Sequence, residues 1–302
     1  MIEKIVHTDY EGLCDSKWES GELPSDRTVV YVPTDHVFEF FESCEQSNKK
    51  FVLVSSNSDY MITEQSRHKV EKDVFKWLRF VDTTGLGYRS VMVDTRCESE
   101  NCKINDRYSQ KLYSWTKATF SNIPNNIVAW FGTNLDIEDS RITRLTFGLP
   151  KWSVDLLKHQ EKTHTLYINF QNNTLDRSSL YAYYKSLQDP RILIEKEVSH
   201  EQYIGSLSKC KYALSPPGNG FSCFRTNEAL MCGVIPIVQK CIASKAYDNL
   251  PVIQIDSLIC DVNDLDSSWK NLHDRIDWSL ENSSVDFRYW RTRVNESRKL
   301  LN

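Results

Sequence analysis

Short apolar runs alternate with amphipathic stretches at the start of the chain. Two of these runs, residues 28–32 and 50–55, are rich in β-branched and aromatic side chains and are apolar on both faces. That pattern predicts strands buried in a parallel sheet. Between them, residues 34–48 carry apolar side chains at helical spacing, with Thr34 or Asp35 as the N-cap. The order strand, helix, strand is the unit that builds a parallel sheet.

The remainder of the first half is less regular. Apolar side chains recur there at helical spacing and predict a helix that contains Val74, Trp77, Leu78 and Val81. Residues 84–106 are polar and are typical of an inserted hairpin or lid. Strands are predicted at residues 126–131 and 142–149, and the sequence Gly148-Leu149-Pro150 predicts a boundary between two domains.

The second half of the chain repeats the alternation of strand and helix patterns, with clearer signals at the ends of the elements. The predicted strands are residues 165–170, 191–194, 211–215, 234–238 and 250–255. The predicted helices are residues 175–187, 199–208, 221–232 and 280–301. Ser199 and Gln202 have the spacing of a capping box, and Gly233 is placed to end the third of these helices. The chain is therefore predicted to form two α/β sheets in sequence.

Composition narrows the range of functions. The 302 residues carry a net charge of −4, and 40% of them are hydrophobic, as is ordinary for a globular protein. The mild negative charge argues against a general nucleic-acid binder, and no apolar run approaches the ~20 residues of a membrane span. The nine cysteines are irregularly spaced and include no Cys-x-x-Cys pair, which indicates free thiols. Because the first residues lack a signal-peptide pattern, we expect a cytoplasmic protein.

The most specific pattern lies in residues 215–238. A predicted strand ends at Ser215, two prolines stiffen its exit, and Gly218 and Gly220 remove side chains from a sharp turn around Asn219. A helix is predicted to begin near Ser222. In open parallel sheets, ligands bind outside the carboxyl ends of the strands, and a helix N-terminus at that edge attracts phosphate.

Three side chains in the first turns of this helix suit a nucleotide. Arg225 can grip phosphate oxygens, Thr226 can donate a hydroxyl, and Glu228 can accept hydrogen bonds from a ribose diol on the same side as Arg225. A tight turn with Arg225 and Glu228 as an exposed ion pair would explain the glycines alone, but the joint pattern favours a ligand site. The segment matches neither the nucleoside-triphosphatase loop nor the nicotinamide loop.

Residues 211–238, preceded by residues 201–208, closely resemble the signature of the exostosin-like glycosyltransferases, including those of large algal viruses. The likeness is strong over residues 165–256, which include the predicted strand at 166–170, and it is weaker but in the same order over residues 28–150, at residues 52–59, 130–134 and 142–148. The chain departs from the family at Ser56, where relatives tend to have histidine, and at residues 84–106, which have no counterpart there.

The resemblance implies a GT-B fold, in which two Rossmann-like domains face each other across a cleft. Residues 1–150 would form the acceptor-side domain, residues 151–280 the nucleotide-sugar-binding domain, and residues 281–302 a helix that crosses back to the first domain. The implied reaction is an inverting, metal-independent transfer from a UDP-sugar to a glycan hydroxyl, without a cofactor. Xylose is the best candidate sugar because similar relatives add pentoses, and a viral relative would act in the host cytoplasm.

The resemblance and the strand-end positions together give the expected site residues. The nucleotide sugar would be bound by Asn169, Arg177, Ser215, Gly218, Asn219, Gly220, Phe221, Arg225, Thr226 and Glu228. An inverting transfer also needs a base for the acceptor hydroxyl. We expect that base in the first domain, with Asp59 as first candidate, Asp73 as second, and Asp35 and His36 as further ones.

Other readings of the sequence remain open. A non-catalytic nucleotide-sugar-binding subunit of a glycan-assembly complex would share the same donor site, and so would a GT-B-like epimerase or phosphorylase. Asp264 and Asp266 form an Asp-x-Asp pattern, but their place beside a predicted helix indicates capping rather than a metal site. The seven histidines are scattered, which argues against a zinc site.

Overall fold

The computed structural model describes residues 4–6, 9–56, 62–63, 75–81, 88–94, 123–171, 175–218 and 221–302. Contacts divide the chain into two units. The N-terminal unit comprises residues 10–144 and 293–302, and the C-terminal unit comprises residues 1–9 and 145–292. Each unit is built on a five-stranded sheet with parallel strands, consistent with two Rossmann-like domains.

Three sheets occur among the described residues of the N-terminal unit. Their strands are β1 (Ser16–Lys17), β2 (Thr28–Tyr31), β3 (Phe51–Ser55), β4 (Ile62–Thr63), β5 (Phe75–Val81), β6 (Tyr88–Asp94), β7 (Ile127–Thr133), β8 (Leu135–Asp136) and β9 (Ile142–Leu145). The largest sheet has the order β1-β2-β3-β7-β9, in which β1, β2, β3 and β7 run parallel. Strands β4 and β8 also pair in parallel, whereas β5 and β6 pair antiparallel.

Helix α1 (Val37–Glu45) follows β2 and packs on the largest sheet. Its Phe40 ring meets Phe51 of β3 edge-on at a centroid distance of 5.4 Å, and its Phe41 ring meets Trp130 of β7 at 5.3 Å. Every residue of β2 and β3 is buried. The predicted order of buried strand, helix and buried strand is therefore confirmed.

Two local predictions for the N-terminal unit are wrong. Residues 75–81, predicted as part of a helix, form strand β5, and all seven pair with β6. The segment is rich in aromatic and apolar residues that also suit a strand, so spacing alone misassigned it. Helix α1 has His36 rather than Thr34 as its N-cap, because the Thr34 hydroxyl donates to the Ser56 carbonyl oxygen at 3.2 Å. The Asp35 side chain lies outside the described residues.

The C-terminal unit contains one sheet whose adjacent strands all run parallel. Its strands are β10 (His164–Ile168), β11 (Ile192–Ile194), β12 (Cys210–Leu214), β13 (Ile235–Gln239) and β14 (Ile253–Ile255). Its helices are α2 (Leu175–Ser186), α3 (His200–Leu207), α4 (Phe224–Met231) and α5 (Val262–His273). The spatial order is β11-β10-β12-β13-β14, so the strand order reverses between β10 and β12.

Helix α4 ends as predicted and begins later than predicted. Gly233 has a φ of 65°, and its N–H bonds to the Leu230 carbonyl while the Val234 N–H bonds to the Ala229 carbonyl. These two bonds form a Schellman motif, which needs a residue in the left-handed conformation at Gly233. The helix begins at Phe224, three residues after the predicted start.

The last helix is shorter than predicted. Helix α6 spans Phe287–Ser297 and continues as a short 3-10 turn, Arg298–Leu301. Leu280 and Asn282 have φ values of 52° and 57°, and this left-handed conformation excludes them from a right-handed helix. Among the described residues, no helix combines the length and the apolar character needed to cross a membrane.

Candidate functional site

In a parallel sheet, a crevice is expected where the strand order reverses, and in this sheet that position is the carboxyl ends of β10 and β12. Parallel α/β sheets bind ligands at such switch points, because the chain leaves the two adjacent strands toward opposite faces of the sheet. Residues 169–171 follow β10, and residues 215–218 follow β12. The segment with the most specific sequence pattern therefore lies beside this crevice.

Hydroxyl and thiol groups tie the exit of β12 to the first turn of α4. The Ser215 hydroxyl lies 2.9 Å from the Thr226 hydroxyl and 3.2 Å from the Cys223 sulfur. Ser215 and Thr226 are both buried. Thr226 was predicted to donate its hydroxyl to a ligand. In the structure this hydroxyl instead pairs with that of Ser215 and connects the end of β12 to α4.

The start of α4 has no capping side chain. Its N-cap is Cys223, which makes no side-chain capping bond, and the Thr226 N–H bonds to the Cys223 carbonyl at 3.1 Å. A thiol is a weak acceptor, so the Cys223 side chain provides no N-cap for this helix. The partial positive charge of the helix N-terminus favours an anion there.

Two guanidinium groups approach the buried Phe170 ring after β10. The Arg225 guanidinium carbon lies 5.6 Å from the ring centroid, and the Arg177 guanidinium carbon lies 5.9 Å from it. Arg225 is partly exposed, and its Nε is buried with no hydrogen-bond partner among the described residues. Two positively charged groups therefore lie beside the residue that follows β10 by two positions.

Arg177 also holds the loop after β12. It is only 6% exposed, and it donates from Nε to the Pro217 carbonyl at 2.8 Å and from one terminal nitrogen to the Pro216 carbonyl at 3.1 Å. A side chain on Gly218 would place its Cβ 2.7 Å from the Arg177 Nη2 atom. The absence of a side chain at Gly218 therefore leaves room for this arginine, a contact that the sequence pattern could not reveal.

Glu228 of helix α4 is 3% exposed, and its carboxylate contacts helix α3. Its Oε2 accepts a hydrogen bond of 2.9 Å from the Tyr203 hydroxyl, and its Oε1 lies 3.5 Å from His200 Nε2. Burial raises the pKa of Glu228, while Tyr203 and Arg225 act to lower it. The alternative of an exposed ion pair with Arg225 is thus wrong, because this carboxylate is buried.

A second polar chain follows the end of β10. The Asn169 side-chain amide donates to the Tyr167 hydroxyl at 3.1 Å, and that hydroxyl donates to Glu195 Oε2 at 2.8 Å. The Ser206 hydroxyl donates to Glu195 Oε1 at 3.0 Å. Asn169, a predicted site residue, is held after the end of β10 by residues that the sequence analysis did not identify. The pattern of apolar and polar residues along β10 does not indicate this series of hydrogen bonds.

The other predicted residues are distributed as follows. Phe221 is buried, with its ring centroid 6.3 Å from that of Tyr247. Asp59, Asp73, Asn219 and Gly220 lie outside the described residues.

Two further positions singled out by the sequence have structural partners. His36 Nδ1 lies 2.9 Å from Glu39 Oε2. Ser56 is buried, and its hydroxyl lies 3.2 Å from the Tyr31 hydroxyl. Ser56 therefore supports the end of its strand.

Both aspartates of the Asp-x-Asp pattern, Asp264 and Asp266, lie in helix α5, and neither is its N-cap. Asp261 is the residue that caps α5, accepting from the Asn263 N–H at 2.7 Å, and Asp264 lies in the first turn of that helix. Asp266 accepts from Lys211 and from the Thr165 hydroxyl, so it joins α5 to β12 and β10 rather than capping the helix. Within the described ranges, no three or more His, Cys, Asp and Glu side chains are grouped to hold a metal ion.

Comparisons with solved structures give distant likenesses. No protein-family model and no curated protein matches the chain. A solved structure titled "Crystal structure of GtfA/B complex" is similar over 91% of this chain, with 10% sequence identity and a TM-score of 0.41. This chain spans 58% of the length of that chain.

Proposed function

We propose that the chain is a glycosyltransferase whose donor, a nucleoside diphosphate sugar, binds at the crevice between β10 and β12. The observation that supports this most is the approach of Arg177 and Arg225 to one ring, Phe170, beside the uncapped start of α4. The two positively charged guanidinium groups repel each other in this partly buried place. The binding of an anion beside them is favoured because it offsets that repulsion. A diphosphate supplies the charge and several acceptor oxygens for the Arg225 fork and the helix N–H groups.

The finer parts of the proposal come from the resemblance of residues 211–238 to the exostosin-like signature. They are a GT-B arrangement of the two units, a UDP-sugar as donor, inversion at the anomeric carbon, independence of metal and cofactor, and a glycan as acceptor. Xylose is the proposed sugar. Glu228, with one carboxylate oxygen lacking a hydrogen-bond partner among the described residues, is proposed to face the nucleotide.

The proposed reaction is a direct displacement. The acceptor hydroxyl oxygen forms a bond to the anomeric carbon while the bond from that carbon to the diphosphate oxygen breaks. The hydroxyl proton passes to a base, for which Asp59 and Asp73 stay the candidates. The negative charge left on the diphosphate is stabilised by Arg225 and by the N–H groups of α4, which are oriented before the reaction begins.

A donor screen tests this function. The full chain is incubated with UDP-xylose, other UDP-sugars and GDP-sugars, with and without simple acceptor sugars, in the presence of EDTA, and released nucleoside diphosphate is measured. Acceptor-dependent release from one UDP-sugar supports the proposal. Binding without release across the panel would favour a non-catalytic binding subunit, and consumption of the donor without acceptor would favour an epimerase. If the chain neither binds any of these donors nor releases nucleoside diphosphate from them, the nucleotide-sugar site is refuted.

A further inference from the structure

Trp152 is the most exposed large hydrophobic side chain among the described residues, with 62% of its surface open. Its ring meets His200 edge-on at a centroid distance of 6.5 Å and Phe224 at 6.0 Å. Phe224 is the first residue of α4, and His200 is the first residue of α3. The exposed indole therefore lies beside the starts of both helices, at the carboxyl edge of the sheet.

Two polar atoms close to this indole lack hydrogen-bond partners. Glu228 Oε1 and His200 Nε2 are both buried, neither has a partner among the described residues, and they lie 3.5 Å apart. The hydroxyl of Ser153, which follows Trp152, lies near the Glu228 carboxylate but donates to the Pro150 carbonyl. Buried polar atoms without partners are costly, and native proteins retain few of them.

The chemistry of the two features is complementary to one kind of ligand. An indole face attracts an apolar C–H surface, whereas a carboxylate oxygen and an imidazole nitrogen bind hydroxyl groups. A sugar ring carries both, because its C–H groups lie on its faces and its hydroxyls on its rim. We propose that Trp152, His200 and Glu228 form a subsite for a sugar ring of the ligand, with Trp152 against its C–H face.

This inference rests on the proposed function, since the ring would belong to the nucleotide sugar. Both the ribose of the nucleotide and the transferred sugar have the required chemistry. Burial lowers the pKa of His200, which favours the neutral imidazole that can accept as well as donate a hydrogen bond. Because Trp152 is exposed, its replacement is not expected to disturb the packing of the unit.

Binding measurements on the full chain test the subsite. Affinities of the wild type, Trp152→Ala, Trp152→Phe and His200→Ala are measured by calorimetry for pyrophosphate, UDP and UDP-xylose. We expect Trp152→Ala to weaken binding of a ring-bearing ligand by about tenfold, which is the loss of one stacking contact. Trp152→Phe restores most of that loss, and pyrophosphate affinity stays unchanged. The matched control is Ile259→Ala, which removes another exposed apolar side chain and leaves all affinities unchanged.

A comparison of UDP with UDP-xylose also distinguishes the ribose from the transferred sugar as the ring in the subsite. Equal weakening for UDP and UDP-xylose assigns the subsite to the ribose, and weakening for UDP-xylose alone assigns it to the transferred sugar. The subsite is overturned if Trp152→Ala and His200→Ala bind both ligands within twofold of the wild type, or if pyrophosphate binding falls by the same factor. Failure of the wild type to bind pyrophosphate or any nucleotide sugar would instead overturn the proposed function, and the subsite with it.

Discussion

The two units have parallel sheets with different strand orders. In the C-terminal unit the order reverses between β10 and β12, whereas the described strands of the largest N-terminal sheet follow in chain order. A reversal separates the connections that leave two adjacent strands, and a ligand can reach the strand ends between them. A ligand site at the strand ends of a parallel sheet is therefore expected where the strand order reverses. The order of the strands in a sheet decides where a crevice forms.

The strand ends of the two units also differ in charge. In the C-terminal unit Arg177 and Arg225 lie there, with Glu228 nearby. In the N-terminal unit the strand ends carry hydroxyls, and Trp130 Nε1 donates to the Ser55 hydroxyl at 2.8 Å. We therefore expect anion binding to depend on the C-terminal strand ends and not on the described N-terminal ones.

The largest expected effect is that of Arg225→Ala on anion binding. The loss of a charge-assisted contact to a diphosphate weakens UDP affinity about 100-fold. Calorimetric titration with UDP measures the change, and Arg275→Ala, an exposed arginine of the same unit, is the matched control with unchanged affinity. A loss below threefold for Arg225→Ala would show that the charge difference between the units does not determine binding.

Gly132 of β7 tests the N-terminal sheet without touching the proposed site. A Cβ at this position would lie 2.7 Å from the Leu135 Cδ1 atom and 2.7 Å from the Ser55 hydroxyl, both of them buried. Gly132→Ala is expected to lower the free energy of unfolding by about 2 to 3 kcal/mol through overpacking, while UDP affinity stays unchanged. Urea unfolding and calorimetry measure the two quantities. A change in affinity would contradict the assignment of anion binding to the C-terminal unit.

Gly218 is the corresponding glycine in the C-terminal unit. Gly218→Ala forces the Arg177 guanidinium away from the Pro216 and Pro217 carbonyls, since the new Cβ meets its Nη2. The expected cost is about 1 to 2 kcal/mol of unfolding free energy, with weaker UDP binding as well. Gly205→Ala, in helix α3, is the control, because the new Cβ meets no atom within 4 Å apart from its chain neighbours and the nearby backbone of its own helix. It should be neutral or stabilising, because alanine favours a helix.

The strands of the C-terminal unit were predictable from the sequence because short β-branched runs are separated there by glycines, prolines and caps. The Ser199 cap is confirmed by its bond of 3.2 Å from the Gln202 N–H. Such signals are weak in residues 75–81, where the spacing of apolar residues fits the period of a helix as well as that of a strand. The prediction of a helix there was therefore wrong, and the segment forms strand β5.

The arrangement of the candidate site was predictable only where its residues are close in sequence. Arg225 and Glu228 emerged from one motif, but the Tyr203 bond to Glu228 joins residues 25 positions apart. The contact of Arg177 with Pro217 spans 40 positions, and Trp152 approaches His200 from another segment. Spacing along a helix or strand contains no information about such contacts, because the fold of the sheet brings them together.

The smallest expected effect concerns an ion pair within the N-terminal unit. Arg298 binds Asp15 through both terminal nitrogens, at 2.7 and 2.9 Å, and this hydrogen bonding lowers the pKa of Asp15 below its ordinary value of 3.8. The pair therefore stabilises the fold above that pH and loses its effect as the pH falls through the lowered value. Both side chains are more than a third exposed, so Arg298→Ala should cost only about 0.5 kcal/mol at pH 7. Urea unfolding of both proteins at pH 7 and pH 3 measures the difference, which should shrink in acid. An equal difference at both pH values would show that Arg298 acts through packing rather than through the Asp15 charge.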